Sequence, residues 1–67
     1  MEIFELKYFM AVANLENVNK AAEVIHVSAG SLSKAISRLE TELQTPLFFK
    51  SGRGIRLTPQ GQILKKR

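Results

Sequence analysis

Residues 18–37 read VNKAAEVIHVSAGSLSKAIS, and this stretch decides the fold. Ala21, Ala22 and Ile25 recur at helical spacing and share one face. Leu32, Ala35 and Ile36 share a face of a second segment, with Val27 between the two. Two short helices joined by a tight turn form a helix-turn-helix. The second helix of such a pair can lie in the major groove of DNA.

The whole chain sets the limits on that reading. It has 67 residues and no cysteine. One small domain is the most it can build, and no disulfide or Cys-based zinc site can brace it. Its 45% hydrophobic content predicts a packed core rather than disorder. No apolar run approaches the roughly 20 residues of a membrane span. The opening MEIFELKYF mixes acids with apolar residues, unlike a cleaved leader. Net charge is +4, with a pI near 9.9. The charge is unevenly placed. All six acids lie at or before Glu42, whereas Lys50, Arg53, Arg56, Lys65, Lys66 and Arg67 follow it with no acid among them. A basic second half points to an anionic partner on one side.

Upstream of the central stretch, Ile3–Leu15 reads as an amphipathic helix. Ile3, Leu6, Phe9, Met10 and Ala13 make one apolar stripe, and Phe4, Tyr8, Ala11 and Leu15 make a second beside it. The plain expectation is core; the sharper alternative is that the second stripe docks another helix, from this chain's end or from a partner. Asn14–Asn17 is a polar connection, and either Asn17 or Asn19 can cap the next helix. His26 is the only histidine, with no partner set for catalysis or metal binding, and is expected to end that helix.

Ser28 is a good N-cap for a third helix over Ala29–Leu43. Leu32, Ile36, Leu39 and Leu43 give it a narrow core stripe. Ala29, Gly30, Ser33, Lys34, Ser37 and Arg38 fall on the other side, with no acid before Glu40. That face suits phosphates and base edges, and it is equally the pattern of an ordinary solvated face. Thr45-Pro46 ends the helix. Leu47–Lys50 and Ile55–Leu57 then read as short strands around an SGRG turn. Arg53 at the tip of this hairpin, flanked by Lys50 and Arg56, can reach a minor groove; the plainer alternative is an exposed turn. Thr58-Pro59 is a helix start, with Thr as cap and Pro in the first turn. So short a helix must pack on something, and the second stripe of the first helix is the expected seat. The expected core is Leu6, Phe9, Ala22, Ile25, Leu32, Ile36, Leu39 and Phe48.

Helix, helix-turn-helix, basic hairpin and helix make a mainly α winged helix-turn-helix. From Leu6 to Gly61 the chain also resembles the N-terminal DNA-binding domain of LysR-type transcriptional regulators. The likeness runs through LKYFMAVA, KAAEVIHVS, LSKAISRLETEL, PLF and SGRGIRLTPQG in fixed order. The resemblance implies a cytoplasmic, nucleoid-associated bacterial regulator rather than an enzyme, with no cofactor. It implies that residues 1–58 form the winged domain, with the helix-turn-helix at 18–37 and the wing at 47–57. Residues 59–67 would begin a linker helix that is cut short here. Double-stranded DNA with an inverted-repeat operator is the implied partner, bound as a homodimer through the linker helix. An effector would bind only if a C-terminal domain follows in the full protein. Carried over by position, the DNA contacts fall on Ala29, Gly30, Ser33 and Lys34, with Lys50 and Arg53 on the wing. Ser28 and Ser31 fall next to phosphates, and Ser37 and Arg38 extend the same face.

Four positions depart from the usual pattern. Ala29 replaces a Gln and Gly30 a Pro or Ser, so a thymine-methyl contact takes the place of adenine reading. Gln44 replaces the glycine that ends the recognition helix, at a cost on the order of 1 kcal/mol if the backbone there is left-handed. Phe49 stands where an acid is frequent. A second function is compatible with the pattern: a protein-interaction module that pairs with a full-length regulator through the first helix and the linker helix. No nucleophile–base set, metal cluster or phosphate loop is present to support an enzyme.

Overall fold

The computed structural model describes residues 2–52 and 54–66. The element order is α1 (Ile3–Leu15), α2 (Val18–Ile25), α3 (Ala29–Leu43), β1 (Phe48–Ser51), β2 (Gly54–Leu57) and α4 (Pro59–Lys66).

Polar side chains set the helix starts. The Lys20 amide donates to Asn17 Oδ1 at 2.9 Å, which makes Asn17 rather than Asn19 the cap of α2. The Ser31 amide donates to Ser28 Oγ at 3.0 Å, and the Gly61 amide to Thr58 Oγ1 at 3.1 Å, as expected for α3 and α4. The helix ends are less usual. α1, α2 and α3 each stop at a left-handed residue that is not glycine: Glu16 (φ 52°), His26 (φ 60°) and Gln44 (φ 55°). His26 does end α2, and Gln44 does carry the conformation that makes it costly.

The core joins Phe9, Val12 and Ala13 of α1, Ala21 and Ala22 of α2, Leu32, Ile36 and Leu39 of α3, and Leu47. Ile25 and Phe48, expected inside, are half-buried against it, with the Phe48 ring centroid 5.4 Å from that of Phe9. Leu6 does not belong to the core; it is 36% exposed, as is Leu43 at the end of the α3 stripe. On α1 the buried residues are Glu5, Phe9, Val12 and Ala13, so Phe9 and Ala13 of the expected stripe are core, whereas Ile3 and Leu6 are exposed. The helix is apolar over so much of its girth that periodicity does not choose a face. Glu5 is drawn in because its carboxylate accepts the Glu2 amide at 3.0 Å.

The hairpin pairs Phe48 with Leu57, Phe49 with Arg56, Lys50 with Ile55 and Ser51 with Gly54, antiparallel. The first strand starts one residue later than the sequence suggests, because Leu47 is taken into the core at 1% exposure. A two-stranded ribbon is not stable alone, and three attachments hold it. Glu40 Oε2 accepts the amides of Leu47 (2.7 Å) and Phe48 (3.3 Å). The carbonyl of Glu16 accepts the Ile55 amide at 3.2 Å, close enough that a Cβ on Gly54 would lie 2.8 Å from that oxygen. Thr58 donates its amide to the Leu47 carbonyl (2.9 Å) and its hydroxyl to the Pro46 carbonyl (2.7 Å). α4 is fastened here too. A Cβ on Gly61 would collide with the Leu47 carbonyl oxygen and lie 2.8 Å from Leu57 Cδ2. Its main seat is therefore the wing and not the second stripe of α1, where Phe4 and Leu15 stay 44% and 41% exposed.

Two stability changes follow from these contacts. Gly61→Ala is expected to lower the unfolding free energy by about 1–3 kcal/mol, since the added methyl meets backbone that cannot yield cheaply. An unchanged urea midpoint would show that α4 sits elsewhere. Gln44→Gly is expected to raise stability by about 1 kcal/mol by relieving the left-handed strain. For a domain this small, that moves the thermal midpoint up by about 4–8 °C.

Candidate nucleic-acid interface

The register of α3 separates two faces. Leu32, Ala35, Ile36 and Leu39 are buried, while Gly30, Ser33, Lys34, Ser37, Arg38 and Thr41 are exposed on the opposite side. No acid falls between Gly30 and Arg38, and exposed Glu42 borders the face one turn beyond Arg38. Glu40 is turned sideways, and its carboxylate is engaged by the Leu47 and Phe48 amides. Thr41 extends the face by one turn, which the helical period makes legible in the sequence.

Not every expected residue sits in the same way. Ala29 is half-buried and packs on the core, so it borders the face and does not project from it. Gly30 is open, with nothing within 4 Å of the position a Cβ would take. The fold therefore sets no steric demand for glycine there, and the helix surface at Gly30 is as low as a helix allows. The Ser28 hydroxyl donates to Ser31 Oγ at 2.9 Å while accepting the Ser31 amide. These two serines are thus held against each other at the first turn, both exposed.

The hairpin places its cations on different sides. Residues paired across the ribbon share a face and neighbours along a strand alternate. Lys50 therefore lies with Ile55, and Arg56 lies with Phe49 on the reverse side. Lys50 lines a cleft of about 270 Å³ with Asn17, Val18, Asn19, Gly52, Gly54 and Ile55, beside the start of α2. A second cleft of about 170 Å³ lies between α3 and the wing. It is lined by Ser33, Ser37 and Glu40 together with Val12, Val18, Ile36, Phe48 and Ile55. Val18 and Ile55 line both clefts, so the cleft beside Ser33 and Ser37 of α3 adjoins the one beside Lys50. Arg56 instead lines a cleft of about 600 Å³ with Glu16, Phe49, Leu57, Gln62, Lys65 and Lys66. Sequence proximity thus misleads: Lys50 and Arg56 flank the same tip yet face apart. Arg53, the expected minor-groove residue, lies outside the described residues.

Sequence reading misses Glu40. The only advance signal is indirect. Pro46 breaks the helix and offers no N–H, so the amides after it need acceptors from elsewhere.

Comparison with known proteins places this geometry. The family profile for the bacterial regulatory helix-turn-helix protein, lysR family, matches residues 3–62. The HTH-type transcriptional regulator YofA of Bacillus velezensis is 44% identical over 66 residues, covering 98% of this chain and 23% of that protein. The chain therefore spans about a quarter of this relative's length. Among solved structures, the CbnR_DBD–DNA complex superposes with a TM-score of 0.94 at 39% identity, covering 98% of this chain and 76% of that one. The BenM_DBD/catB site 1 DNA complex gives a TM-score of 0.94 at 33% identity, with 98% and 73% covered.

Proposed function

The chain belongs to the lysR family of bacterial regulatory helix-turn-helix proteins, and from that premise we propose that it binds double-stranded DNA as the recognition domain of a transcriptional regulator. The observation that carries this reading is the exposed face of α3 from Gly30 to Arg38, which holds Lys34 and Arg38 and no acid, with Lys50 on an adjoining cleft. Solved relatives of the same shape, CbnR_DBD and BenM_DBD, are described as DNA complexes, which supports it. In this proposal α3 lies in the major groove. Gly30, Ser33 and Lys34 meet base edges and the adjoining phosphates, Ser37 and Arg38 follow the backbone, and Ser28 and Ser31 sit against phosphates. Ala29, at the rim of the face, offers only its methyl, which matches a thymine methyl. The low surface at Gly30 lets a base pair approach closely. Lys50 neutralises a phosphate, and Arg53 enters the minor groove.

The proposal extends to assembly. Ile63 on α4 is 59% exposed, and a second copy covering it would give the twofold arrangement that an inverted-repeat operator needs. In this reading residues 59–67 begin a linker helix, the protein works in the bacterial cytoplasm, and it catalyses no reaction. One observation favours a second reading, a module that pairs with a full-length regulator. Ile3 (77%), Phe4 (44%) and Leu15 (41%) leave α1 with an open apolar surface.

Binding to random duplexes followed by sequencing is expected to yield a palindromic consensus; no enrichment would remove the DNA reading. Lys34→Ala should weaken binding and alter the preferred sequence, whereas Arg53→Ala should weaken it with a smaller loss of specificity. Equal affinity of both variants and the parent would overturn the residue assignment. Titration with salt separates the two readings. A phosphate-binding face loses affinity with a log–log slope of about −0.9 per phosphate contacted, whereas an apolar helix interface hardly responds.

A further inference from the structure

We infer that Glu40 is a positioning residue that ties the wing to the recognition helix, so that major-groove and wing contacts are made as one unit. The inference rests on the DNA-binding reading above and names how the two halves of that site are joined. Glu40 projects from the last full turn of α3, and its Oε2 accepts two successive amides, Leu47 at 2.7 Å and Phe48 at 3.3 Å. Leu47 immediately precedes β1 and Phe48 opens it, with Lys50 two residues beyond Phe48 on the same strand. Charge-assisted bonds of this kind are short and directional. Two bonds to consecutive amides fix both the distance and the heading of the strand, which a single bond would not.

The core also steadies the base of the strand, through the buried Leu47 side chain and the Phe48 ring beside Phe9. The other attachments of the hairpin run to the carbonyl of Glu16, at the end of α1, and to Thr58, at the start of α4. The bonds to the Glu40 carboxylate join the body of α3 directly to the wing. The same side chain also lines the cleft between Ser33, Ser37 and the hairpin. It therefore stands at the junction of the two surfaces proposed to touch DNA without projecting from the exposed face of α3.

Side-chain reach and charge can be separated. Glu40→Gln keeps the length and one carbonyl oxygen able to accept both amides. Glu40→Asp keeps the charge but falls short by one methylene. Glu40→Ala removes both and leaves the Leu47 and Phe48 amides without their partner. The test is a double-mutant cycle on affinity for the consensus duplex recovered by selection from random sequences, each Glu40 variant being combined with Lys50→Ala on the wing and with Lys34→Ala on α3. All proteins are first checked for a folded circular-dichroism spectrum at the assay temperature.

In the Glu40→Asp background the cost of Lys50→Ala is expected to shrink by about threefold or more, the scale of coupling for residues joined through one element. The cost of Lys34→Ala should stay unchanged. Glu40→Gln should preserve both costs. Mere loss of stability would not single out the wing, because a folded fraction scales every contact alike. If Lys50→Ala costs as much in the Glu40→Asp background as beside the native side chain, the positioning role is overturned. If Glu40→Ala does not fold, the Glu40→Asp and Glu40→Gln arms decide. If neither Lys34→Ala nor Lys50→Ala alters affinity in the native background, it is the DNA-binding assignment that fails, and the coupling falls with it.

Discussion

Leu47 is the residue through which the parts of this domain meet. Its side chain is fully enclosed by the helical core. Its amide is held by the Glu40 carboxylate of α3, and its carbonyl accepts the Thr58 amide at the start of α4. Gly61 lies against that same carbonyl. One residue thus fixes the exit from the recognition helix, the entry to the wing and the angle of the final helix. A chain of 67 residues has little core to spare for holding a two-stranded ribbon in place. Concentrating the attachments on a single buried residue lets the ribbon take its rigidity from the core beneath it.

Much of the architecture is legible in the sequence because it depends on local chemistry. Asn17, Ser28 and Thr58 are polar residues placed where helices begin, and each accepts the amide that its position calls for. The αL conformation at Gln44 is legible from the family pattern, which puts glycine there. The features that escape are those set by partners distant in sequence. Nothing within α1 tells which side of an almost wholly apolar helix will be covered, and Leu6 is misplaced for that reason. Nothing within α4 tells that Gly61 marks a contact with Leu47 and not with α1. Glu40 looks like one more surface acid until the strand it holds comes into view.

The candidate interface shows the same division. The helical period sorts Ser33, Lys34, Ser37 and Arg38 onto an exposed side, as the structure has them. It cannot place Ala29, which lies close enough to the boundary for packing on the core to decide. On the hairpin, alternation across the strands, and not nearness in the chain, separates Lys50 from Arg56. The candidate surface emerges when helix period and strand register are combined, and neither alone supplies it.

The attachments of the hairpin have one more consequence, for solubility. A two-stranded ribbon has two open sides, each offering amides on which a strand from another molecule could pair. Here the Phe48 amide is taken by Glu40 on one strand, and the Ile55 amide is taken by the Glu16 carbonyl on the other. Both strands of the ribbon are thereby blunted by the protein's own groups. The bonds that anchor the wing also deny it to edge-to-edge association.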